Sequence, residues 1–309
     1  MARSSVPLTG AQHDIRAGDY LATITELGAG LRRLRHRGVP VITEYGADEL
    51  PPAGAGQLLA PWPNRIDHGA YSFGGSSLQL DLSEPAHGNA IHGLTRWAGW
   101  QLVESGEDAA ELGLRLLGRT GYPFMLELRA RYRLAADGGL EVTITAHNGG
   151  DRPAPYGTGS HPYLRAGDGP VDACTLELPA ASWLPADARG IPSGPPRPVA
   201  GTGFDFQAGP AIGTAAIDHA FTGLSRDVSG RAWARVSRDG TTVALWAGPG
   251  YDWLQAFTGD PLDAAHRRRA VAIEPMTCPP NAFVTGTDLL TIVPGETVTH
   301  QWGIRVDTA

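Results

Sequence analysis

From position 126 to position 147, apolar and polar residues change places almost without a break. Leu126, Leu128, Ala130, Tyr132 and Leu134 alternate with Glu127, Arg129, Arg131 and Arg133. After Asp137-Gly138-Gly139, Leu140, Val142, Ile144 and Ala146 alternate with Glu141, Thr143, Thr145 and His147. A period of two puts one face of a strand in the core and the other in water, and a glycine turn between two such runs closes a long hairpin. Shorter runs of the same kind predict strands at 20–25, 31–35, 39–43, 70–73, 78–82, 112–117, 174–178, 232–236, 242–246, 270–274 and 298–305. Helical periodicity is weak, with a turn or two conceivable at 263–269, and 179–209 reads as an extended loop crowded with Pro and Gly. The 41 Gly and 25 Pro follow no short period and supply many turns. That argues for β structure and against a helix bundle. With no linker or repeat in view, residues 1–309 are expected to form a single all-β domain, a large antiparallel β-sandwich.

Composition narrows the chemistry. The formal charge of −7 offers no footprint for nucleic acid or an anionic membrane. Every fixed cation is Arg, so Schiff-base and P-loop chemistry, which need a lysine, are excluded. Cys174 and Cys278 stand alone, residues 1–12 carry no apolar leader, and no apolar run approaches membrane-spanning length. A cytoplasmic protein with two free thiols is expected. No G-x-S-x-G elbow or H-E-x-x-H occurs, and Gly28-Ala29-Gly30 and Gly54-Ala55-Gly56 lack the third glycine of a dinucleotide loop. His87 and His92 are no metal pair by spacing. Acid–base chemistry by His and carboxylates remains, with neither metal nor cofactor expected.

Titratable groups gather in loops rich in Gly, Pro and aromatic residues: Trp62-Pro63-Asn64-Arg65, Asn89-Ala90-Ile91-His92-Gly93, Gly159-Ser160-His161-Pro162-Tyr163, Asp218-His219 and Ile273-Glu274-Pro275. Each has a bland reading. A His before Gly or Pro often bonds the backbone in a turn, an Arg after Pro-Asn often clamps carbonyls, and Glu274 has Arg267–Arg269 at hand as ion-pair partners.

Taken together, N-R-I at 64–66, H-G-L-x-R at 92–96, H-P-Y at 161–163, D-H-x-F at 218–221 and A-I-E-P-M-T-C-P-P-N-A-F at 272–283 resemble the aldose 1-epimerases, or mutarotases, and the likeness spans about residues 20–306. That family's fold is a large β-sandwich, in agreement with the strand pattern. The resemblance implies that Glu274 is the general base and His161 the general acid, while Arg65, His92 and Asp218 bind sugar hydroxyls with Asn64 beside them. The implied partner is a monosaccharide substrate, on a monomer or homodimer. Mutarotation removes a proton from the anomeric hydroxyl, delivers one to the ring oxygen, and closes the opened ring on the other face. A histidine near pKa 6.5 would serve both directions at neutral pH, and Ile273, Pro275 and Met276 would raise Glu274 by desolvation. Trp62, Trp97 or Trp246 would wall a sugar face. Leu164 and Asn281 depart from residues common in the family. A hexose-6-phosphate 1-epimerase is the rival activity, needing further cations such as Arg96 or Arg165; a non-catalytic carbohydrate-binding protein is the rival class.

Overall fold

The alternating run folds as read. In the computed structural model of the chain, which describes residues 6–308, strands Leu126–Ala135 and Gly139–Asn148 pair antiparallel from Leu126 opposite Asn148 to Ala135 opposite Gly139. Leu128, Ala130, Tyr132, Val142 and Ile144 are buried, while Arg129 and Arg131 lie on the wet face and pair with Glu111 and Glu104 at 3.0 Å. Such exposed pairs contribute about 0–1 kcal/mol each, so the buried face carries the hairpin. Residues 1–5, part of the segment examined for a leader, and residue 309 lie outside the described residues. Among the described residues no helix is long and apolar enough to cross a membrane.

The hairpin occupies the middle of an eight-stranded sheet ordered Gln101–Ser105, Ala109–Leu116, Leu126–Ala135, Gly139–Asn148, Thr297–Thr308, Thr241–Ala247, Ala232–Arg238, Thr175–Glu177. A second sheet of eight runs Arg197–Pro198, Ala180–Leu184, Asp218–Leu224, Trp253–Phe257, Val271–Met276, Gly159–Ser160, Leu58–Leu59, with Tyr163–Leu164 also paired to Val271–Met276. Gln12–Ala17, Tyr20–Thr25, Leu31–His36 and Val39–Pro40 form a smaller four-stranded sheet. One apolar cluster joins all three, with Val142, Leu245 and Trp302 from the first, Phe221, Leu254 and Ile273 from the second, and Ile24 and Leu34 from the third. The paired strands are antiparallel, and 47% of the chain is strand against 3% helix, an all-β sandwich.

Three expectations are corrected. The stretch 179–209 is no continuous loop, because Ala180–Leu184 sits inside the second sheet, bonded to Asp218–Leu224. Its Pro-rich flanks mask a run too short for a periodic signal. At 263–269 there is no helix, only a turn in which Arg267 N donates to Asp263 O at 2.7 Å; among the described residues the single α-helical turn is Ala282–Thr285. The strand after Ala70–Phe73 begins at Ser76, because the two-residue turn Gly74-Gly75 lets pairing resume at once, and Leu80 leaves the ribbon to be buried.

Candidate active site

Strand Val271–Met276 is buried along its whole length, so its one ionisable residue, Glu274, has no route to bulk water along the backbone. Two short strands pair with it around the His161-Pro162 dipeptide, with Gly159 opposite Met276 and Tyr163 opposite Ala272. This register sets His161 opposite Glu274. His161 Nε2 lies 3.3 Å from Glu274 Oε1, and the two side chains are 6% and 3% exposed. The imidazole is held from several directions. Its backbone N donates to Gln57 O at 3.0 Å, Gly56 N donates to its carbonyl at 2.9 Å, and the ring stacks on Tyr163 at 4.9 Å between centroids. Tyr163 is itself fixed by a hydroxyl bond to Ala53 O at 3.1 Å.

These residues line a cavity of about 500 Å³ with Asn64, Arg65, His92 and Asp218. All six residues expected from the sequence therefore meet in one place. His92, in the left-handed region at φ 61°, accepts from Asn64 N at Nδ1 (3.3 Å) and donates its own N to Asn64 O at 2.9 Å. With Nδ1 accepting, the neutral ring carries its proton on Nε2. Asn64 Oδ1 accepts from Arg65 N at 2.9 Å, so Asn64 organises its neighbours as well as facing the cavity. Asp218 accepts from Gln255 Nε2 at 2.7 Å. Arg65 is no clamp on carbonyls: its Nε and Nη2 bind the Glu84 carboxylate at 2.8 and 2.9 Å. Nor does Glu274 pair with the 267–269 arginines; Arg268 is taken by Asp172 at 2.8 Å and Asp260 at 2.7 Å.

Of the three tryptophans considered as a wall, only Trp97 lines the cavity. Trp62 is buried against Phe283, and Trp246 lies under Arg231 in the other sheet. Arg96 lines the cavity too, whereas Arg165 lines a separate one of about 400 Å³ and pairs with Asp168 at 2.6 Å. Gln255, Glu84 and Gly190 escaped the sequence reading. Gln255 is opposite Glu274 in register, and its only signal was a lone polar residue inside Trp-Leu-Gln-Ala-Phe. Gly190, at φ 74°, lies so close to Arg65 that a Cβ would collide with Nη1 and Cζ. Gly190→Ala is expected to displace the guanidinium. A misplacement of this kind lowers kcat/KM by about tenfold or more if Arg65 binds substrate, and a steady-state comparison with the wild type checks it.

Burial sets the protonation of the pair. Desolvation pushes Glu274 well above its ordinary value, with Asp218 adding to the rise and Arg65 opposing it. Desolvation also lowers His161 to about 3, which corrects the expectation of an unperturbed histidine, and holds His92 well below its usual range. Asp218 is raised as well, by the desolvating protein around it although the residue itself stays exposed, whereas Glu84 is brought down to about 2 by Arg65, His87 and Asn89 in spite of its burial. Burial thus disfavours charge on either member of the facing pair and shifts the balance of the proton from the imidazole towards the carboxyl. The three side chains His92, His161 and Glu274 also offer ligand atoms within 4.8 Å of one another, a donor set a divalent transition metal would accept.

The sign of the linkage follows. Unfolded, His161 takes a proton near 6.5; folded, it does so only near 3. Between those values the unfolded chain binds more protons, so this residue's contribution to stability falls as pH drops. Glu274 acts oppositely, holding its proton in the fold above the ordinary 4.5, so its contribution is lost as pH rises past that value. Replacing His161 with Gln should therefore narrow any stability gap to the wild type as pH drops from 6.5 towards 5, by up to about 1.4 kcal/mol per pH unit. Urea unfolding at several pH values measures the gap; a constant gap would mean His161 is not held neutral.

Comparison with known proteins bears on family and fold. The sequence model of the aldose 1-epimerase family matches residues 12–305. The chain is 35% identical to the uncharacterized protein YihR of Escherichia coli over 297 residues, covering 96% of this chain and 93% of that one. It is 27% identical to the galactose mutarotase of Mus musculus over 71% of this chain and 66% of the mouse protein. Its fold matches the crystal structure of a GalM/aldose epimerase homologue from C. elegans with a TM-score of 0.85 at 18% identity, over 97% of this chain and 99% of that one.

Proposed function

Because this chain belongs to the aldose 1-epimerase family of isomerases, we propose that it interconverts the α and β anomers of a free hexose by general acid–base ring opening, with Glu274 as base and His161 as acid. The observation that carries the reading is the buried carboxyl–imidazole pair, 3.3 Å apart at the wall of a cavity of about 500 Å³. Glu274 Oε2 and His161 Nδ1 are buried without a hydrogen-bond partner in the protein. Buried polar atoms are rarely left so, and sugar hydroxyls would supply the missing bonds.

The desolvation that disfavours charge on the resting pair also favours the chemistry. In the reactive form the proton has crossed from Glu274 to His161. The carboxylate then takes the proton of the C1 hydroxyl, the electron pair of that O–H bond forms the aldehyde C=O, the C1–O5 bond breaks, and O5 takes the imidazolium proton. Both groups return to their uncharged forms in that step, so burial makes Glu274 a stronger base and His161 a stronger acid than either would be in water. Rotation about C1–C2 and the reverse transfers close the ring on the other face. No electrons leave the sugar and no covalent adduct forms. Arg65, His92, through its Nε2 proton, and Asp218 would orient the hydroxyls.

Polarimetry of freshly dissolved α-D-glucose and α-D-galactose at pH 7 tests this. Decay to anomeric equilibrium faster than in buffer is expected for at least one of them. A buffer rate with both would count against the free-hexose reading.

A further inference from the structure

The loop that follows strand Ala180–Leu184 reaches across to the one that carries Glu84, and a single side chain, Arg189, makes most of the crossing. The loop is stiff in itself. Asp187 Oδ1 accepts from Arg189 N at 2.8 Å and from Ile191 N at 3.0 Å, and Ser193 N donates to Pro185 O at 2.9 Å across its base. Arg189 donates from Nε to His87 O and from Nη2 to Asn89 Oδ1, both at 2.8 Å, and its Nη2 lies 2.7 Å from Asp67 Oδ1. Asn89, fully buried, returns the contact: its Nδ2 donates to Arg189 O at 2.9 Å and to Glu84 Oε2 at 3.1 Å. That same Oε2 accepts Arg65 Nε in the Glu84–Arg65 fork. Gly190 stands directly against the Arg65 guanidinium, where a Cβ would collide. Arg65 is thus held between a carboxylate and a glycine, and the dipeptide Arg189-Gly190 governs both.

We propose that Arg189 is a positioning residue for substrate binding: it fastens the 185–193 loop onto the Glu84 loop and so fixes the direction in which Arg65 meets the sugar. The proposal rests on the reading of Arg65 as a group that binds sugar hydroxyls, and names what aims that group. Arg189 does not line the catalytic cavity, so it acts through its neighbours. A guanidinium suits the task better than an ammonium, because its planar fork meets a carbonyl, an amide oxygen and a carboxylate at once. Arg65 needs the support. Its side chain and that of Glu84 are long, and a fork between them fixes their mutual geometry but not their place in the cavity. Besides the half-exposed His87, 3.0 Å from Glu84 Oε1, the fork is tied to the protein by Asn89 on the carboxylate and Gly190 on the guanidinium. A misplacement of about 1 Å at such a group can cost about 10²-fold in turnover.

Arg189→Met keeps the apolar stem, and the side chain is a third exposed, so the fold should tolerate the change. On the sugar the wild type turns over fastest, the variant should raise KM by about tenfold with kcat within about threefold, the pattern of lost substrate binding. Arg189→Lys should recover only part of the loss, because an ammonium cannot keep the fork. A double-mutant cycle shows the route: in an Arg65→Gln background, Arg189→Met should change KM by less than about twofold. A loss carried undiminished into that background, or a wild-type KM in Arg189→Met, overturns the proposal. The guanidinium can also be read without substrate. The Arg65 Nε–H resonance in NMR, identified by its absence from Arg65→Gln, should exchange with water about tenfold faster or more in Arg189→Met, as its hydrogen bond opens more often. Unchanged exchange overturns the proposal as well. Faster exchange of that proton, with no anomer exchange in any sugar, would leave Arg65 aimed by Arg189 and sink the mutarotation reading alone. A KM unmoved by Arg65→Gln itself would remove Arg65 from sugar binding and overturn the proposal with it.

Discussion

Glu274→Gln should lower anomer exchange by about 10²–10⁴-fold, the usual contribution of a positioned general base. The amide is nearly the same size, so the strand Val271–Met276 and its packing are retained while the proton acceptor is lost. The comparison is made by polarimetry or NMR on the sugar the wild type turns over fastest, at pH 7. A variant that keeps a tenth or more of the wild-type rate would remove Glu274 from the role of base. The substitution also abolishes a carboxyl whose proton affinity burial raises in the fold, so the variant's stability should fall less than that of the wild type as pH rises above 4.5. The two readouts are independent: one follows the reaction, the other the desolvation.

The second large effect concerns stability. Trp302, 1% exposed, lies in strand Thr297–Thr308 between Val142 and Ala247 of the flanking strands, within the shared core. Trp302→Ala should cost about 3–5 kcal/mol, combining lost transfer energy with the cavity left behind. Its indole N–H is buried without a partner, so Trp302→Phe removes an unsatisfied donor along with part of the volume and should cost distinctly less. Urea midpoints at unchanged m-value decide it. Equal losses in the two variants would show that the orphan donor is of no consequence.

Much of this protein can be read from the residues in order. Period-two alternation is a property of the backbone itself, so the hairpin at 126–148 and most strands of the eight-stranded sheet that contains it were visible without knowledge of their partners. The motifs around Arg65, His92, His161, Asp218 and Glu274 were visible because each is contiguous. Pairing is a different matter. Ala180–Leu184 counts as a strand only because Asp218–Leu224 lies beside it, and Gln255 matters only because Trp253–Phe257 runs between the strands bearing Asp218 and Glu274. Protonation is less local still. The sequence identified a histidine and a glutamate, and the expected acid was an imidazole near 6.5; the tertiary structure buried both in the cavity wall and moved their proton affinities in opposite directions, the glutamate up and the histidine down. The same holds for the arginines, identical in the sequence and distinguished only by whether a carboxylate from another loop reaches them. Alternation and motif depend on neighbours along the chain, whereas desolvation and charge pairing sum over atoms brought together from distant positions, and those sums exist only once the chain has folded.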